Sequence, residues 1–160
     1  MKSVLLTIMV LLLFNCSNKE ENFQPTIHLK EILKNERVKK IIWDFRLKNI
    51  AINRQQKQNK EYENFRNNLN EKELIQITKC EIPLLRCIAF KSLVEKDYLI
   101  IRKLLNRHRN DNDLVKGFYY DVVISEPVKS FMLNQLSPFS KSKFKFSKKE
   151  FKKMQEKFRN

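Results

Sequence analysis

Gly117 is the only glycine among 160 residues. The tight primed turns of β-hairpins need residues that take positive φ without strain, and glycine is the usual one. A β-meander built from this chain would lack its turn residue again and again, so helices are expected. Leu, Ile, Lys, Glu, Asn and Phe supply most of the sequence, with no collagen-like, Ser-rich or Gln-rich tract.

Lys2 precedes an apolar run from Val4 to Phe14, broken only by Thr7, which stops at Asn15-Cys16 and passes into Ser17-Asn18-Lys19-Glu20-Glu21. A positive start, an apolar stretch of roughly 7–15 residues and a polar exit make a secretory signal, whereas a bilayer span needs about 20 apolar residues. The chain is therefore expected to be exported. Leu13 and Cys16 resemble the lipobox of bacterial lipoproteins, with Phe14 and Asn15 between them in place of that pattern's small residues. The resemblance implies that residues 1–15 are removed as a signal peptide and that Cys16 is acylated as the first residue of the mature chain. A plain cleaved signal and an uncleaved anchor are the alternatives. Lys19-Glu20-Glu21 is similar to a surface-export signal of Bacteroidetes lipoproteins, and an ordinary solvated tether is its other reading. Together these imply an outer-membrane lipoprotein, periplasmic or at the cell surface.

Residues 16–160 are long enough for one domain that buries most of its apolar surface. The expected divisions are a lipidated tether at 16–28, a helical domain at 29–137 and a basic amphipathic segment at 138–160. The leader contributes one of the 33 basic residues, so the remainder carries a net charge of +14. Residues 139–160 hold 9 basic and 2 acidic side chains, while residues 81–138 hold 9 and 7. A basic surface attracts phosphates, anionic lipids or acidic proteins. Lysines that merely solvate helices are the plainer explanation.

Val38, Ile41, Ile42 and Phe45 repeat at helical spacing, with Asn35 as N-cap. Arg54 to Lys60 is wholly polar and is expected as a hinge or exposed helix end, after which Tyr62, Phe65 and Leu69 resume a stripe. Asn70 and Glu73 have the spacing of a capping box. From Pro83 to Lys96 apolar residues point in nearly every direction, the pattern of a central buried helix. Ile101, Leu104, Leu105 and His108 form the next stripe, and Asn110-Asp111-Asn112-Asp113 is a turn expected to cap a helix. Val115 to Ile124 suits helical spacing and, through its β-branched and aromatic residues, a strand. Ser125-Glu126-Pro127 reads as a helix start with Ser125 as cap. Ser147 and Glu150 form a second capping box, with Phe146 and Phe151 placed as a hydrophobic staple ahead of Met154 and Phe158.

Leu85-Arg86 followed by Ala89 and Leu93 resembles the second helix of a HEAT repeat, and Val115-Lys116 with Tyr119 and Val123 repeats the spacing in degraded form. Asp111 stands at the acidic position that the pattern places before its aliphatic residue, where the first copy has Cys80. The resemblance implies an all-α fold of HEAT-like helix pairs stacked around one core, with function on an exposed face. A non-repetitive helical bundle explains the same residues.

No H-E-x-x-H, G-x-S-x-G or phosphate-cradling glycine loop is present, and His28 and His108 are the only histidines. Asp111 and Asp113 lack the twelve-residue loop of an EF-hand. Cys80 and Cys87 are an even pair in an exported chain, open to a disulfide or to two buried thiols. No catalytic residue, metal site or cofactor is expected. The expected function is a lipid-anchored envelope protein acting as a helical protein-interaction module, not an enzyme, with the membrane as one partner and an unspecified protein as another. The alternative is a basic module whose Lys145, Lys148, Lys149, Lys152, Lys153 and Lys157 meet anionic lipid, lipopolysaccharide or nucleic acid. Of these nucleic acid is the least expected, and a small-molecule substrate is not expected.

Overall fold

The computed structural model describes residues 23–53, 59–119 and 122–159; the leader, Cys16, the export-like run and residues 54–58 of the polar stretch lie outside them. Eight helices are described: α1 (Leu29–Ile32), α2 (Glu36–Lys48), α3 (Lys60–Asn68), α4 (Glu71–Ile77), α5 (Pro83–Glu95), α6 (Ile101–Arg107), α7 (Val128–Gln135) and α8 (Lys148–Arg159). Three strands accompany them: β1 (Ile52–Asn53), β2 (Leu114–Tyr119) and β3 (Val122–Pro127).

The local rules place most helix starts. Asn35 accepts the N–H groups of Arg37 and Val38, and α2 then buries Val38, Ile41, Ile42 and Phe45. Asn70 accepts from Glu73 N–H while the Glu73 carboxylate accepts from Asn70 N–H, closing the capping box of α4. Pro83 opens α5, where its missing N–H costs nothing. Leu85 through Phe90 and Ser92 through Val94 are all buried in α5, because α3, α4, α7 and β2 surround it. It is the central layer. α2 and α3 pack as a pair, with the Phe45 and Phe65 rings 5.3 Å apart.

The chain is mostly helical but not all-α. β2 and β3 pair antiparallel from Leu114↔Pro127 to Tyr119↔Val122, and β1 adds in parallel through Ile52↔Gly117 and Asn53↔Phe118. This overturns a helix at Val115–Val123, and with it a helical second copy of the HEAT-like spacing. Alternation decides the outcome: Val115 and Gly117 turn inward against α5, while Leu114 and Lys116 turn outward. Scarce glycine argues against a meander of many turns, not against one hairpin. Ser125 is not a cap either, because its backbone is paired opposite Lys116. α7 begins at Val128 instead, and the carbonyls of Asp113 and Asp111 accept the N–H groups of Val128 and Lys129 at 2.9 and 3.0 Å. Cys80 and Cys87 are two buried thiols and form no disulfide.

Both ends of the described chain lie against the domain. Of the expected tether, Thr26 and Ile27 donate to the Lys79 carbonyl, and Leu29 N–H donates to Glu81 at 2.8 Å. At the other end, Ser147 N–H donates to Glu150 and Glu150 N–H to the Ser147 hydroxyl, which fixes the start of α8. Phe146 and Phe158 are buried and Phe151 and Met154 partly so, packed on the common core. Arg102 ties the segment down, donating to the carbonyls of Phe144 and Lys145 and pairing with Glu150.

The loop that leads to α8 is held by an unusual residue. α5 ends in a Schellman turn, with Tyr98 N–H bonded to Leu93 O, Asp97 N–H to Val94 O, and Asp97 at φ 51°. Glycine is usual there, but aspartate tolerates the left-handed conformation and brings a carboxylate. That carboxylate accepts from Lys143 N–H at 2.9 Å and from the Ser142 hydroxyl at 3.2 Å. The Lys143 N–H holds the Asp97 carboxyl below its ordinary range, and the Ser147 N–H does the same for Glu150. Groups with lowered folded-state values stabilise above the ordinary carboxylate range, and the effect is lost as pH falls through the lowered values. Asp97→Asn keeps the backbone conformation and removes one titrating group. It is expected to lower the urea midpoint at neutral pH and to flatten its fall below about pH 4, measured as midpoint against pH.

Candidate functional site

The most concentrated chemistry in the molecule is buried. Arg86, on α5, has no exposed surface, yet each nitrogen of its guanidinium has an acceptor. Its Nε and Nη2 meet the two carboxylate oxygens of Asp111 at 3.0 and 2.8 Å as a fork, and Nη2 also meets Asp113 at 2.7 Å. Nη1 donates to the Cys80 carbonyl at 2.9 Å. Asp111 is equally buried, and its Oδ2 lies 3.0 Å from His108 Nδ1. Phe23 closes the cluster, 5.0 Å from the guanidinium and 4.5 Å from the His108 ring. The fold thus joins two residues that the HEAT-like spacing singles out separately, Arg86 of the first copy and Asp111 of the second. Pairing was not legible from either one, since they are 25 positions apart.

This cluster is structural. Among the described residues no buried side-chain nitrogen or oxygen lacks a partner. The nearby Cys80 sulfur faces the Ile82 carbonyl at 3.7 Å, and burial pushes its thiol up to about 11, away from the thiolate that nucleophilic attack requires. His108 is spoken for by Asp111 and Phe23. No group of three His, Cys, Asp or Glu among the described residues is placed to hold a metal ion.

A polar cleft of about 480 Å³ lies between α3, the end of α5 and residues 140–142. On its wall Glu95 accepts from the Tyr62 hydroxyl at 2.8 Å and from Arg66 at 2.9 Å, and the Lys91 ammonium sits 4.2 Å from the Tyr62 ring centre. Burial, then the Glu95 charge, drives the Tyr62 hydroxyl far above its ordinary range. A general base works best with a pKa near the operating pH, and Tyr62 is shifted the wrong way.

The outer surfaces carry two further features. Trp43 and Leu47 lie one helical turn apart on the outside of α2, and Ile50 follows just beyond its C-terminal end, with 47%, 74% and 82% of their surface exposed. Ile50 shares a shallow cleft with Phe118 of β2, and Phe118 pairs with the exposed Val123 of the edge strand β3. An apolar band therefore runs from α2 across the sheet. Trp43 and Leu47 fall outside the stripe that sequence reasoning assigns to the core of α2, and that surplus is the signal that could have found them. The second feature is basic. Lys145, Lys148, Lys149, Lys152, Lys153 and Lys157 are all exposed, on the side of α8 and its lead-in away from the core. Cys16 lies outside the described residues, and no described helix is long and apolar enough to cross a membrane.

Removing the Arg86 charge leaves Asp111 buried without its cation. Arg86→Met is expected to cost about 3–5 kcal/mol, and adding Asp111→Leu to recover part of that loss, because a buried charge left alone costs more than an absent pair. Urea midpoints of the two variants check both signs. The chain matches no protein-family model, no curated protein and no solved structure.

Proposed function

We propose that this protein is a lipid-anchored envelope protein that works as a helical interaction module and carries no catalytic activity. The observation that carries the reading is the apolar band Trp43–Leu47–Ile50–Phe118–Val123, which leaves Trp43, Leu47, Ile50 and Val123 in water beside the half-buried Phe118, on a surface otherwise rich in charge. Exposed apolar patches of this kind mark interaction sites, and aromatic residues are enriched at the centres of such interfaces. The buried side chains of the polar clusters are satisfied by one another, which favours recognition over chemistry. HEAT-like pairing is proposed for α4 and α5 alone, where Leu85, Ala89 and Leu93 line the buried face. The anchor reading rests on the apolar leader that stops at Cys16, and it places the domain at the outer membrane, on the periplasmic side or at the cell surface.

Two outcomes are expected in the native cell. Fatty-acid labelling should depend on Cys16 and vanish in Cys16→Ala. A benzophenone side chain at position 47 should give a discrete cross-linked product, while the same group at the exposed position 71 should not. A product of twice the chain mass would identify the partner as a second copy. Absence of any product at position 47 would overturn the band as the recognition surface.

A further inference from the structure

We infer that α8, together with the outer side of α6, is a second membrane contact that docks flat on anionic lipid headgroups beside the lipid anchor; the inference rests on the anchored reading above. The first step is the shape of α8. At 100° per residue Phe151, Met154 and Phe158 fall on one side, and Lys149 and Lys153 fall opposite. The apolar side is committed to the core, so the helix presents ammonium groups, with the Glu156 carboxylate among them, and no hydrophobic face to insert. Lys157 lies on its flank and reaches Asn106 of α6 at 3.5 Å. On α6 the exposed Lys103 and Arg107 continue the charge. None of Lys103, Arg107, Lys149, Lys153 and Lys157 has a carboxylate partner among the described residues, so the charge is available to an outside anion.

The second step is where the chain leaves the domain. Phe23 lines a cleft with Leu104, Arg107 and His108, so the N-terminal segment departs from the end of α6 that carries this charge. Seven residue steps separate Phe23 from Cys16, a reach of at most about 25 Å. A lipid on Cys16 therefore holds α6 and α8 close to the bilayer, within a distance at which tethering raises the effective concentration of headgroups. Headgroup phosphates supply the complementary charge.

The test uses the full lipidated chain, reconstituted into vesicles of phosphatidylcholine or of phosphatidylcholine with phosphatidylglycerol. Two readouts are taken: flotation with the vesicles, and acetylation of individual lysines by mass spectrometry. The expected result is flotation with both, and protection of Lys103, Lys149, Lys153 and Lys157 only on the anionic vesicles, reversed by high salt. Lys149→Gln and Lys153→Gln, both at exposed positions, should each lower the docked-to-undocked ratio about fivefold. Flotation with both vesicles and equal lysine reactivity on each would overturn the inference and leave the anchor standing. Flotation with anionic vesicles alone would support the docking face and overturn the anchor. Flotation with neither would overturn both. Equal protection by a soluble polyanion without vesicles would overturn the assignment to lipid.

Discussion

The architecture depends on one desolvated guanidinium. Arg86 cannot be left alone in the interior, so the fold must bring carboxylates to it, and the turn after α6 does so with Asp111 and Asp113. The same turn does more with its backbone, because the carbonyls of those two residues accept the first N–H groups of α7. Its third use is Asp111 holding His108 at the end of α6. One short turn therefore fixes the positions of α5, α6 and α7 relative to one another. Phe23 completes the arrangement by covering the cluster from the N-terminal side, which ties the path of the leading segment to the core.

Such a cluster is weak support for stability taken as a pair, since desolvation opposes the Coulombic gain. Its geometric demand is strong. A fork contact to Asp111, a third bond to Asp113 and a fourth to the Cys80 carbonyl admit one placement of the guanidinium, and a lysine could not reproduce it. The cost is carried by the surrounding apolar layer, in which α5 is buried on all sides. With the middle of the molecule saturated in this way, the unpartnered side chains lie at the periphery: the outside of α2 with the hairpin, and the outside of α8 with α6. These surfaces differ in character because their helices differ in what they leave over. α2 has more apolar residues than its core-facing stripe can use, and α8 has lysines at five of the nine positions that its apolar stripe leaves free.

Much of the helical framework was legible in the residues. Asn35, Asn70 with Glu73, and Ser147 with Glu150 cap helices where their side chains predict, because a cap is a contact within one turn and needs no distant partner. The central burial of α5 was legible from apolar residues all round the wheel. The hairpin was not, because Val115 to Ile124 satisfies both periods and only pairing with a neighbour discriminates between them. Ser125 failed as a cap for the same reason, its backbone being taken by β2 before a helix could use it. Of the candidate surfaces, the lysines of the tail were legible as a run, whereas the apolar band was not: it joins α2 to β3 through Phe118, residues far apart in the chain.

The sequence by itself determined what depends on neighbours along the chain: an apolar run before Cys16, helices bounded by their caps, a buried central helix and a basic final one. Tertiary structure decided what depends on partners at a distance. It turned Leu114–Tyr119 and Val122–Pro127 into strands by offering a pairing edge, and it seated the aromatic side of α8 on the core so that its lysines face outward. It also converted Arg86 from a residue of a repeat-like spacing into the centre of a charge cluster. The physical reason is common to all three. Capping and periodicity are satisfied within a few residues, but a strand, an amphipathic face and a buried charge each have an unmet demand that only another segment can fill.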